Sequence, residues 1–96
     1  MYKFTVVLEE MFENEMTDRY LEKIFERNRV PLRDEGIFIL GNSYLVTEID
    51  NDLDLEVTDP KSILVRAECS PVDLEVLLNN DTGWQLRQGG EYIASN

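Results

Sequence analysis

Apolar residues recur along this chain in two different rhythms. At the start, Tyr2, Phe4, Val6 and Leu8 fall on alternate positions, and Val7 adds apolar surface on the other side. A two-residue period sets one face of an extended strand against a core, so residues 2–8 are predicted as a strand. Residues 9–16 are acidic and break that rhythm. From Thr17 the spacing becomes helical. Tyr20, Leu21, Ile24 and Phe25 form one stripe, opposite Arg19, Glu22, Lys23, Glu26 and Arg27. Thr17 is placed to cap this helix, Met16 and Leu21 to staple its start, Asp18 to complement its dipole and Pro31 to stop it.

Next, "GIFILGNSYLVTEI" reads as a hairpin around Gly41-Asn42, because both residues tolerate positive φ; its strands fall at about 37–40 and 43–49. "KSILVRAEC" is a further strand. Ser70 then serves as a cap and Pro71 as the first residue of a second helix, with apolar Val72, Leu74, Val76, Leu77 and Leu78. "NNDTG" ends it, and "WQLRQGGEYIAS" forms a last hairpin around Gly89-Gly90 in which Leu86 faces Ile93. The order is βαββ, an acidic segment, then βαββ. The halves are weakly alike, "KFTVVLEE" beside "KSILVRAE" and "GIFILGNSYLV" beside "GWQLRQGGEYIA", which suggests a pseudo-two-fold repeat. The expected fold is a single α+β domain over 1–96: a mainly antiparallel sheet with two helices packed on one face.

Charge is the most informative bulk property. Twenty Asp and Glu against nine Lys and Arg give a net charge of -11, while the hydrophobic fraction of 43% is that of a folded domain. Such a surface repels nucleic acid and anionic membranes and attracts basic proteins. The acids are also ordered. In "EIDNDLDLEV" every even position from 48 to 56 is acidic: Glu48, Asp50, Asp52, Asp54 and Glu56. On a strand, side chains at i and i+2 share a face about 6.5–7 Å apart, a spacing comparable with phosphates along an extended nucleic-acid strand. The segment is expected to be one long strand, or a hairpin with a three- or five-residue loop, with its acids exposed together. Asp59 follows, and Glu9, Glu10, Glu13, Glu15 and Asp18 form a second acidic cluster. The competing reading is a solvated edge whose charge blocks aggregation, but Asp is a poor strand former, so edge protection explains one or two of these acids better than five.

Catalytic and metal chemistry find little support. The chain has no histidine and one cysteine, Cys69. That excludes a Ser-His or Cys-His pair, a histidine or thiolate zinc site and an internal disulfide. "DNDLDLEVTDPK" opens with the spacing of a calcium loop, but Leu55 stands where glycine is needed and Lys61 where a bidentate glutamate is needed. No cofactor or metal is expected, and no enzyme activity. Arg19, Lys23, Arg27, Arg29 and Arg33 gather around the first predicted helix, where Arg19–Glu22 and Lys23–Glu26 pairs account for most of them. Cys69 is expected to be a small buried hydrophobe, and Trp84 and Tyr92 to be core or an interface anchor. The apolar start is too short for a signal peptide or membrane span, and the lone cysteine fits a reducing compartment, so a cytoplasmic protein is expected.

In size, acidity and lack of catalytic residues the chain resembles the small phage-encoded proteins that block host defence, such as anti-CRISPR and anti-restriction proteins, several of which mimic nucleic acid. The resemblance is compositional, rests on no aligned motif and transfers no functional residue. It implies a viral, non-enzymatic inhibitor acting in the host cytoplasm on a basic nuclease or nucleic-acid-binding complex. Glu48, Asp50, Asp52, Asp54, Glu56, Asp59, Glu9, Glu10, Glu13 and Glu15 are the candidate partner-binding residues. The alternative is a small assembly protein that forms a homo-oligomer and uses its acids only for solubility.

Overall fold

The computed structural model describes residues 2–51 and 63–88. They form a mixed six-stranded sheet and one helix. In chain order these are β1 (Tyr2–Phe12), β2 (Glu15–Arg27), β3 (Gly36–Ile39), β4 (Asn42–Asn51), β5 (Ile63–Cys69), α1 (Pro71–Asn80) and β6 (Gln85–Gln88). Across the sheet the order is β3-β4-β5-β1-β2-β6. Neighbours are antiparallel except β1 and β5, which run parallel.

The expectation of two helices on a mainly antiparallel sheet is therefore wrong. The stretch predicted as the first helix is β2, the longest strand among the described residues. Its stripe at helical spacing also satisfies a period of two, with Leu21 and Phe25 on one face and Tyr20, Glu22 and Ile24 on the other. Pairing decides between the two periods: Phe25 lies opposite Phe4 and Leu21 opposite Leu8 in an antiparallel ladder with β1. Such cross-strand apolar pairs outweigh the small helix preference of Glu, Lys and Leu. The acidic residues expected to be irregular extend β1 to Phe12 and make its turn. Glu13 and Asn14 have φ of 53° and 67°, as a two-residue type I′ hairpin turn requires. With this helix gone, the proposed βαββ repeat fails in its first half. The second strand of the last predicted hairpin lies outside the described residues.

The β3–β4 hairpin forms, but its turn is Leu40-Gly41, one residue earlier than Gly41-Asn42. Ile39 pairs with Asn42, and Leu40 and Gly41 have φ of 51° and 83°. This phase puts Ile37 and Ile39 inward, at about one-twentieth exposure each, opposite Tyr44 and Asn42. The helix after Ser70 also forms. Ser70 accepts from the Asp73 backbone N–H at 3.1 Å and Pro71 occupies the first turn.

One face of the sheet, the inner face, packs against α1. Phe4, Val6 and Leu8 of β1 join Leu21 and Phe25 of β2, Ile37 and Ile39 of β3, Tyr44 and Val46 of β4, and Val65, Ala67 and Cys69 of β5. Leu74 and Leu77 of α1 and Trp84 cover them. Burial of a chain this size yields only a modest hydrophobic gain, so the polar links across the core matter. Lys23 donates to Asp81 at 2.9 Å, and the Trp84 indole N–H donates to the same carboxylate at 2.9 Å. Arg19 reaches Glu75 of α1 at 3.4 Å. These contacts replace the intrahelical pairs predicted for Arg19 and Lys23. Phe38–Leu40 and Lys23–Arg27 line one groove although three strands separate β3 from β2, so the sheet curls around its core.

Candidate functional site

The acids of interest lie on the opposite, outer face of the sheet, and a bulge puts them there. Val46 pairs with Ala67, but Glu48, not Thr47, pairs with Arg66. Thr47 is the extra residue, and its hydroxyl donates to the Arg66 carbonyl at 3.3 Å. Side chains alternate along a strand, so without the bulge Glu48 and Asp50 would share the face of Tyr44 and Val46 and enter the core. With it, Ile49 turns inward against Val65, and Glu48 and Asp50 turn outward.

Two neighbouring strands add to the row. Arg66 and Glu68 alternate with buried Val65, Ala67 and Cys69 on β5, and Glu9 lies beside Glu68 in the parallel β1–β5 ladder. Glu9, Glu48, Asp50 and Glu68 thus surround Arg66, the one cation that the described residues place among them. Arg66 donates its Nε to Asp50 and reaches Glu9 at 3.3 Å. Glu48 and Glu68 are exposed. Burial pushes the Glu9 carboxyl above its usual range, and Glu68 and Glu48 push it further, while Arg66 pulls it back. The rest of the outer face is not bare: Thr5, Val7 and Tyr20 are buried, and at the far side of β2 Arg87 pairs with Glu22 at 2.7 Å.

Of the ten acids singled out from the sequence, Glu9, Glu48 and Asp50 meet on this face. Glu13 occupies the β1–β2 turn and Glu15 the start of β2, both exposed. Glu10 does not join them. It points inward, is 3% exposed, and accepts from Arg19 at 2.6 and 3.1 Å and from the Thr17 hydroxyl at 2.6 Å. The ladder shifts register there, and one residue of β1, Glu10, stands opposite three of β2, Thr17 to Arg19. Those hydrogen bonds, Arg19's first, hold its carboxyl below the usual range. Asp52, Asp54, Glu56 and Asp59 lie outside the described residues.

Glu68 and Arg66 were missed from the sequence. "ILVRAEC" alternates plainly, but only its apolar face was read. Trp84, expected as a core residue or interface anchor, is core: it is 8% exposed and its ring lies 5.6 Å from that of Phe25. Tyr92 lies outside the described residues. Cys69 is buried as expected, and burial pushes its thiol up to about 12, far from a reactive thiolate. Among the described residues no group of acids or Cys69 is arranged to hold a metal ion. Nor is any helix there long and apolar enough to cross a membrane.

No protein-family model, curated protein or solved structure matches the chain.

Proposed function

We propose that this chain is a small non-enzymatic interaction protein, which docks the acidic outer face of its sheet on the basic nucleic-acid-binding surface of a partner protein. One observation carries the reading: Glu9, Glu48, Asp50 and Glu68 converge from three adjacent strands around a single guanidinium. Strands lie about 4.8 Å apart and alternate residues about 6.5–7 Å apart, so these carboxylates form a two-dimensional patch on the scale of phosphate spacing. Like charges on adjacent positions cost stability, and the bulge at Thr47 directs two of them to the surface. A patch of this kind speeds encounter with a cationic groove and confers strong salt dependence.

The test is elution of captured bacterial proteins in a salt gradient, with and without duplex DNA as competitor. The reading requires a basic nucleic-acid-binding protein that leaves at moderate salt, is displaced by DNA, and is not captured by the double variant Glu48→Gln, Glu68→Gln. Neither carboxylate bonds across the fold in the described structure, so the variant keeps its core. A partner held through high salt and indifferent to both DNA and the variant would sink the proposal.

A further inference from the structure

The part of the β3–β4 hairpin nearer its turn, residues 36–46, carries no charge, in a chain where 30% of residues are charged. On the outer face of this hairpin Phe38 is 69% exposed and Leu45 is 56% exposed. They are diagonal neighbours across the ladder, Phe38 opposite Ser43 and Gly36 opposite Leu45. At the tip Leu40 is 51% exposed and holds a φ of 51°. A left-handed conformation is costly for a branched apolar residue, and the first position of a type I′ turn favours Asn, Asp or Gly. Folding alone does not select leucine there. An exposed residue held in an unfavourable conformation points to a use outside the fold.

This apolar cluster is continuous with the acidic patch. Leu45 precedes the bulge on the strand that carries Glu48 and Asp50, and both segments face outward. Leu45 and Glu68 also line one cleft of about 480 Å³, together with Met11, Tyr44 and Glu13. Uncharged aromatic and aliphatic side chains bordered by charges are the layout of a docking surface, with an apolar centre and a polar rim.

We infer that Phe38, Leu40 and Leu45 are the apolar anchor of the acidic docking face, and that the partner is a protein surface presenting apolar side chains among its lysines and arginines. This rests on the proposed function and narrows it. Lys23 and Arg27 share a groove with Phe38 and Leu40, but Lys23 is paired with Asp81. Charge complementarity still selects the occupant, because Glu13 and Glu68 beside Leu45 and the net charge of -11 disfavour an anionic partner and a second copy of this chain. Charge then governs encounter, and the anchor governs residence time.

Two synthetic peptides with blocked ends test this. Both carry lysine at alternate positions; one has leucine between the lysines and the other serine. Titrated by calorimetry at low salt, the leucine peptide should bind about tenfold tighter or more, the scale of one or two buried apolar side chains. It should also retain more of its affinity as salt is raised. The double variant Phe38→Ser, Leu45→Ser should erase that advantage and leave the serine peptide unaffected. Leu40→Asn, which relieves the turn, should reduce it in part while folding at least as well. Glu48→Gln with Glu68→Gln should weaken both peptides. Equal binding of the two peptides would overturn the anchor and leave acidic docking standing. Binding of neither would remove the docking reading itself. A dimer seen by light scattering, dissolved by Phe38→Ser, would overturn the inference by giving the cluster to a second copy.

Discussion

Glu9 and Glu10 are adjacent in the chain and face opposite ways, and their contrast separates the two faces of the sheet. Glu10 enters the inner face with its charge satisfied by Arg19 and Thr17, and its carboxyl is held low. Glu9 stands on the outer face among Glu48, Asp50 and Glu68, and its carboxyl is pushed up by burial and by like charges. One carboxylate serves the fold, whereas the other is maintained against it. An acidic sequence therefore cannot be read as uniformly solvated. Where each acid points decides whether it holds the structure together or presents a surface.

The largest effect should come from the inner face. Phe25 lies between the rings of Phe4 at 6.3 Å and Trp84 at 5.6 Å, with the Arg27 guanidinium over its face at 4.6 Å. Phe25→Ala should cost about 3–5 kcal/mol in urea unfolding, a large share of the stability of so small a domain. Phe38→Ser, on the outer face, should stay within about 0.5 kcal/mol. If the two variants cost the same, the distinction between the faces is false.

The next effect separates the two glutamates by sign. A carboxyl lowered in the fold contributes stability that is present above its unfolded value and lost as pH falls through the folded one. A carboxyl raised in the fold does the reverse: its contribution is present below the unfolded value and lost as pH rises through the folded one. Glu10→Gln should therefore destabilise the protein at pH 7, and the cost should shrink as pH falls through the lowered carboxyl range. Glu9→Gln should stabilise at pH 7, by less than the Glu10 change costs, because Arg66 keeps Asp50 as a partner. Urea midpoints across pH 3–8 measure both. Shifts of the same sign would contradict the opposed environments.

How much of this was legible in the sequence depends on how many periods a segment satisfied. The strand β1 and the helix after Ser70-Pro71 each fitted one pattern and were readable. Residues 15–27 fitted two, since Tyr20, Leu21, Ile24 and Phe25 suit a helix while Leu21 and Phe25 suit a strand. Only the partner, β1, decides between them, and pairing over that distance is not written locally. The bulge at Thr47 did leave a local trace. The inward apolar residues shift from even to odd positions between Val46 and Ile49, and that change of phase marks an inserted residue. Buried Glu10 left none: nothing in "LEEMF" says which glutamate meets Arg19 nine residues later. The acidic patch was legible in part, through Glu48 and Asp50. Its remainder on β5 needed the parallel pairing of β1 with β5, which no short-range signal announces.

A weaker effect is the most telling, because it sets fold against surface within one residue. Leu40 is half exposed, stands outside the buried core cluster and holds a positive φ that suits Asn better. Leu40→Asn should raise stability by about 1 kcal/mol or less, a typical gain for correcting a turn residue. It should also weaken the leucine-bearing peptide more than the serine-bearing one. Gain in stability together with loss of binding would show that the leucine is kept for contact at the expense of the turn. A stabilised variant with unchanged affinity would make Leu40 a folding imperfection and confine the anchor to Phe38 and Leu45. A destabilised variant would mean that Leu40 packs within the fold and that the outer surface begins only beyond it.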